Sequence, residues 1–331
     1  MRRRICLARA AGALAAALSA ARNAQAQPAA ETALPVVGFL GATGPNPDML
    51  TPLLEGLGAA GWRDGHNVRI EYRWAHNQPA RLPALMAELL THKLSVIVTH
   101  GGTVTVRAAQ AAASTVPIIL FVGADPVATG LVASLARPGG RTSGVYMLTG
   151  ALNAKRLQLL SEMVPRVAAM AVLINPHSPV APTIESETRR AAAVAGVQLR
   201  VLHASDEREI DAAFAEFADK RIGALVVSND PYYAQRYEQI AALTLRYQLP
   251  AVVEWRRFVT RGGLMSYGTD LDAALREFGG YVARVLGGAK PADLPVLQPR
   301  RFELVINGKT ANVLGLSIPA ALRLRADDVI Q

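Results

Sequence analysis

Two carboxylates stand where carboxylates are costly. Asp230 follows the apolar run Ala224 to Val227, and Glu254 follows Ala251-Val252-Val253. An acid at the end of a buried strand is tolerated when it is hydrated, caps a helix or is paired. Each acid is therefore either a structural partner or a group facing a bound molecule. Aromatic side chains gather at the same places: Tyr232 and Tyr233 beside Asp230, Trp255 beside Glu254, and Tyr267 at the end of the run from Leu264. A flat apolar face next to a charge suits stacking and charge pairing. Polar residues close further apolar runs, namely Thr43, Gly102, Thr103 and Asp125 in the first half and Asn175 and Ser178 in the second. Helix capping and ligand contact both account for Thr43, Asn175 and Ser178.

Patterns for covalent chemistry do not occur. Ser266 has Gly268 two residues on, but Leu264 stands where a nucleophile elbow needs its first glycine. No Gly-x-Gly-x-x-Gly follows the first apolar run, and neither a phosphate-binding loop nor a His-Glu-x-x-His motif is present. His66, His76, His92, His100, His177 and His203 lack metal-ligand spacing. Of these, His100 and His177 fall at strand ends, where a histidine is solvated, caps a helix or lines a cleft. The only cysteine is Cys6. These residues lead us to expect a binder without cofactor or metal, not an enzyme. Arg256-Arg257 reads as a solvated face.

The elements that must position these groups alternate along the chain. Continuous apolar runs at 36–40, 95–99, 117–122, 168–174, 224–227 and 251–253 predict strands buried on both faces. Each run is followed by a glycine or polar turn and a helical-period stretch, such as Leu82, Leu85, Met86, Leu89 and Leu90. The pattern runs through once and restarts near Ala168, which predicts two doubly wound parallel-sheet α/β lobes joined by a hinge. In such sheets ligands sit beyond the carboxyl ends of the strands, which is where the residues above fall.

The 331 residues, 51% of them apolar and 18% charged, suffice for two cores. The first 26 residues are expected to be removed. Arg2-Arg3-Arg4 precedes a short run of small apolar residues, and Ala24-Gln25-Ala26 supplies a cleavage site after Ala26, the pattern of an export signal. The Arg3-Arg4 pair leaves Sec and twin-arginine export both open. Without those residues and their five arginines, 30 basic residues face 26 acidic ones, a net charge of +4, which does not argue for nucleic acid.

Several stretches carry a family likeness: Gly-Phe-Leu-Gly at 38–41, Asn-Val-Arg-Ile-Glu-Tyr-Arg-Trp-Ala at 67–75, Gly-Ala-Asp-Pro-Val at 123–127 and Arg-Pro-Gly-Gly-Arg-Thr-Ser-Gly-Val at 137–145. Ser-Asn-Asp-Pro-Tyr-Tyr at 228–233, Gly-Gly-Leu-Met-Ser-Tyr-Gly at 262–268 and Phe-Glu-Leu-Val-Ile-Asn at 302–307 continue it. Together they resemble the ABC transporter substrate-binding proteins of the tryptophan/tyrosine uptake type. The resemblance implies a type I periplasmic-binding-protein fold. A first lobe would run over 27–150 plus about 271–300, a second over 151–270 plus about 301–331, with crossings near 147–151 and 268–271. It also implies a periplasmic, monomeric receptor that hands a small solute to an ABC permease, or presents it to a membrane sensor. Ligand contacts would fall at Thr43, Gly102, Thr103, Val122, Asp125, Asn175, Asp230, Glu254 and Tyr267. A second-lobe acid would grip a ligand ammonium, while Gly101-Gly102-Thr103 would offer amides and a hydroxyl to a carboxylate. Ser178 and Tyr232 join this set by position.

Overall fold

The computed structural model describes residues 34–113, 115–147, 152–219, 222–299 and 301–331. The expected export segment and its cleavage after Ala26 lie outside them, as does most of the expected crossing at 147–151.

Two α/β lobes follow from the apolar runs. Strands β1 (Val36–Gly41), β2 (Arg69–Trp74), β3 (Leu94–His100), β4 (Ile118–Val122) and β5 (Thr142–Tyr146) form an all-parallel sheet in the order β2-β1-β3-β4-β5. The second sheet contains β6 (Ala169–Ile174), β7 (Gln198–His203), β8 (Ala224–Val227), β9 (Ala251–Val253), β10 (Met265–Thr269), β11 (Phe302–Asn307) and β12 (Asp328–Ile330). Its order is β12-β11-β10-β9-β8-β6-β7, parallel throughout except where β11 runs antiparallel to β10. Strands β1, β4, β8 and β9 are buried along their whole length, whereas the edge strand β7 is half-exposed. This is the difference expected between central strands covered on both faces and an edge.

Helices α1 (Pro47–Ala59), α2 (Leu82–Leu90) and α3 (Thr103–Ala112) cover the first sheet. The second sheet is covered by α4 (Asn153–Met163), α5 (Ala181–Ala195), α6 (Glu207–Asp219), the short α7 (Pro231–Gln235), α8 (Tyr237–Arg246) and α9 (Arg256–Thr260). Helix α10 (Leu271–Leu286) leaves the second sheet directly after β10 and packs into the core of the first. Its Leu275, Phe278 and Val282 join Phe39, Val98 and Phe121, with the Phe121 and Phe278 rings 5.1 Å apart. The chain then runs beside β5, where Leu297 donates to the Gly144 carbonyl and accepts from the Tyr146 amide, each at 2.8 Å, before it enters β11. Two of the segments that pass between the sheets touch, since the Thr269 hydroxyl donates to the Met147 carbonyl at 3.2 Å.

Helices α1 and α10 meet backbone to backbone. A Cβ on Gly279 would lie 2.2 Å from the Leu53 carbonyl oxygen, and one on Gly56 2.0 Å from that of Arg276. Neither backbone can yield as a side chain could. Gly279→Ala is expected to lower stability in urea denaturation by roughly 1–3 kcal/mol, the usual cost of overpacking. The neighbouring Gly280 has open space around its missing Cβ, so Gly280→Ala is expected to raise stability by up to about 1 kcal/mol.

Candidate functional site

The carboxyl ends of strands from both sheets open onto one cavity of about 970 Å³, mouth included. On the first-lobe side, β1 delivers Thr43, β3 delivers His100 and the turn Gly101-Gly102-Thr103, and β4 delivers Phe121. Gly101 and Gly102 have φ of +104° and +97°, and a Cβ on Gly101 would sit 2.5 Å from that of Ala42. Glycine is therefore needed for this turn to lie against the β1 loop. Helix α3 begins here without a side-chain cap. Its first amides and the positive end of its dipole are thus left for a carboxylate or another acceptor.

His100 stacks on Phe121 with ring centroids 5.7 Å apart, and its buried Nδ1 has no hydrogen-bond partner among the described residues. Burial lowers its pKa to about 4, so the ring is neutral at physiological pH. A neutral imidazole offers one donor and one acceptor.

The second lobe contributes Ser178 after β6, Asn229 after β8, Gln235 of α7, Tyr237 of α8, and Trp255 and Arg257 after β9. Behind Asn229 lies Glu254, 2% exposed. One of its carboxylate oxygens accepts from Asn229 Nδ2, and the other lies 3.7 Å from Nη2 of Arg156. Arg156 is fully buried, and it donates from Nε to the Tyr267 carbonyl and from Nη1 to Asn153 Oδ1, each at 2.8 Å. Burial pushes the Glu254 pKa up to about 7, against the opposing pull of Arg156 and Asn229.

Bonds across the cleft tie its two walls. Gln235 Nε2 donates to the Gly44 carbonyl at 3.1 Å. Arg257 bonds the Asp48 carbonyl and pairs with Asp272 at 2.5 Å, while Arg261 pairs with the Asp48 carboxylate. Arg257, expected on a solvated face, is instead mostly buried, because two first-lobe oxygens meet its guanidinium.

Of the residues singled out in the sequence, Thr43, Gly102, Thr103 and Ser178 line the cavity. Val122 is buried in the core on the α2–α3 side of the first sheet. Asp125 is exposed and accepts from the amides of Val127 and Ala128 at 2.8 and 3.2 Å. Asn175 accepts from the His177 amide at 3.0 Å, and Asp230 caps α7 by accepting from the Tyr232 amide at 2.8 Å. Tyr232 lies under the Arg236 guanidinium, 5.3 Å from its ring centroid. Tyr267 stacks on Phe302 with centroids 6.5 Å apart. Glu254 is not itself in the cavity wall; Asn229, which donates to it, is. Position after a strand brought Thr43 and Thr103 to notice, but Arg156, Gln235 and Tyr237 sit within helices, beyond the reach of that rule.

A family model for ABC transporter substrate binding protein matches residues 47–330. The chain belongs to this family. Among curated relatives, a tyrosine-binding protein of Clostridioides difficile is 24% identical over 278 residues, covering 83% of this chain and 77% of that one. Among solved structures, a conserved domain protein from Vibrio cholerae superposes with a TM-score of 0.80 at 26% identity, covering 89% of this chain and 99% of the other. An ABC domain from Streptococcus pneumonia, in complex with L-Trp, superposes at 0.79 with 24% identity, covering 90% and 100%. The two parallel-sheet α/β lobes seen here are the type I periplasmic-binding architecture. Among the described residues no helix is long and apolar enough to cross a membrane.

The Arg156–Glu254 pair has a pH signature. With its folded pKa raised, Glu254 holds more protons in the folded than in the unfolded chain between about 4.5 and 7, so its contribution to stability is lost as pH rises through that window. His100, with its pKa lowered, acts in the opposite sense between about 4 and 6.5. Arg156→Met removes the counter-charge of Glu254 and leaves His100 unchanged. Its deficit against the unmodified protein is expected to reach about 3–5 kcal/mol in urea denaturation at pH 8 and to shrink at pH 5, where Glu254 is neutral.

Proposed function

We propose that the chain is the exported, monomeric solute receptor of an ABC importer, and that it captures a small amino acid or aromatic molecule in the cleft between its lobes. The cavity carries this reading, because both lobes build its wall. The uncapped start of α3, Thr103 and His100 face Asn229, Gln235 and Ser178, with Phe121, Tyr237 and Trp255 supplying flat apolar surface. A ligand that touches both walls favours closure through those joint contacts, as the handing of solute to a permease requires. The family supports a transport role, and the tyrosine-binding and L-Trp-bound relatives support a small aromatic ligand. The basic, small-residue stretch before Gln27 supports a periplasmic location.

Calorimetric titration against aromatic amino acids and aromatic acids tests the proposal. One of them is expected to bind at one per chain and, at about 100 times its Kd, to add about 2.7 kcal/mol of stability. Thr103→Val removes one hydroxyl contact and is expected to weaken that binding by roughly 3- to 10-fold, the worth of about one hydrogen bond. Absence of binding across such a panel, with no thermal shift, would remove the receptor reading.

A further inference from the structure

The charges around the cleft narrow the class of ligand, on the reading that the cleft is the binding site. A ligand ammonium held away from water is best matched by an ionised carboxylate that the ligand reaches and that nothing else neutralises. Two acids come near. Asp48 is on the wall, but its carboxylate is held by Arg261 and its carbonyl by Arg257. Glu254 lies behind Asn229, its second oxygen facing Arg156 at 3.7 Å. Arg156 cannot swing away, because the Tyr267 carbonyl and the Asn153 side chain each hold it at 2.8 Å and it is fully buried. The guanidinium therefore performs permanently the service that a ligand ammonium would perform for Glu254.

The opposite wall is arranged for the other sign. Three donors converge there: the uncapped amides at the start of the ten-residue α3, Thr103, and neutral His100 with its unpartnered Nδ1. The acid on that wall, Asp48, is engaged by Arg261. Phe121, Tyr237 and Trp255 leave the remaining space to a flat apolar body.

We infer that Arg156 is an internal counter-ion that sets the charge class of the ligand, and that the cleft prefers small aromatic carboxylates without an α-ammonium to the corresponding amino acids. Arg156 is a positioning residue, acting through Glu254 and Asn229 and touching no ligand.

Titration calorimetry on matched pairs tests this: indolepropionate against L-tryptophan, and hydroxyphenylpropionate against L-tyrosine, at neutral pH. In at least one pair the deaminated acid is expected to bind roughly 30-fold tighter or more, the scale of leaving one buried charge unpaired. Amino acids binding as tightly or more tightly in both pairs would overturn this inference and leave the receptor reading intact. No binding by any of the four would overturn both. In Arg156→Met, the gap is expected to narrow about fivefold toward the amino acid, because a ligand ammonium can then take the guanidinium's place and draw Glu254 into its ionised form, and Arg156→Lys is expected to restore it. An unchanged gap in a folded Arg156→Met variant would remove Arg156 from this role. A purely structural arginine would weaken both members of a pair equally. The wild-type comparison decides the ligand class even if Arg156→Met does not fold.

Discussion

An ionised carboxylate sealed from water costs several kcal/mol unless a cation and hydrogen bonds replace its hydration. Glu254 is in that position at the end of β9, and much of the second lobe is registered to it. Helix α4 brings in Arg156, the middle of β10 fixes the guanidinium through the Tyr267 carbonyl, and the turn after β8 contributes Asn229. Even the next residue of β10 is constrained, since a Cβ on Gly268 would lie 2.3 Å from the Glu254 carbonyl oxygen. Three strands and one helix are thus held to one another by a single buried pair. Asn229 and Trp255, which face the cavity, inherit their places from it.

This arrangement separates what a buried charge does for the fold from what it offers a ligand. A lone acid at a strand end in the wall of a cavity would attract cations. The same acid with an arginine locked beside it presents a nearly neutral wall, and what reaches the cavity is an amide side chain. The rim follows the same rule: Arg257, Arg261, Asp48 and Asp272 compensate one another across the cleft. They hold the lobes together while adding little net charge to the opening.

Most of the architecture was legible because a parallel sheet covered by helices demands strands that are apolar on both faces, and few other elements produce such runs. Strand β5 escapes that rule. Its Thr142, Ser143 and Gly144 look like loop, yet Ser143 is buried with its hydroxyl on the Leu294 carbonyl at 2.6 Å, and Gly144 lies against the Leu120 backbone. The antiparallel entry of β11 also has no local signal, since it follows a passage through the other lobe. At the site, position after a strand pointed to Thr43, Thr103 and Ser178, which line the cavity. It pointed equally to Asp230, whose side chain is used up capping its own helix. Arg156 did leave a trace: with Asn153, Leu157 and Leu160 it falls on the apolar stripe of α4, all four buried. A charge on such a stripe must be paired from inside, and the partner is an acid nearly 100 residues away, which no local pattern names.

The contact between α1 and α10 bears on how the chain acquires its structure. Helix α1 lies near the beginning of the chain and α10 more than 200 residues later, yet the first sheet keeps an apolar face open until α10 covers it. The lobe that begins first cannot be finished first. Closing so long a loop costs only a few kcal/mol, since that entropy grows as the logarithm of length, but it ties the first lobe to events at the far end and makes folding slow. A chain of this design emerges with its first hydrophobic layer unsealed. Until residues beyond 271 arrive, it remains a substrate for chaperones rather than a finished domain.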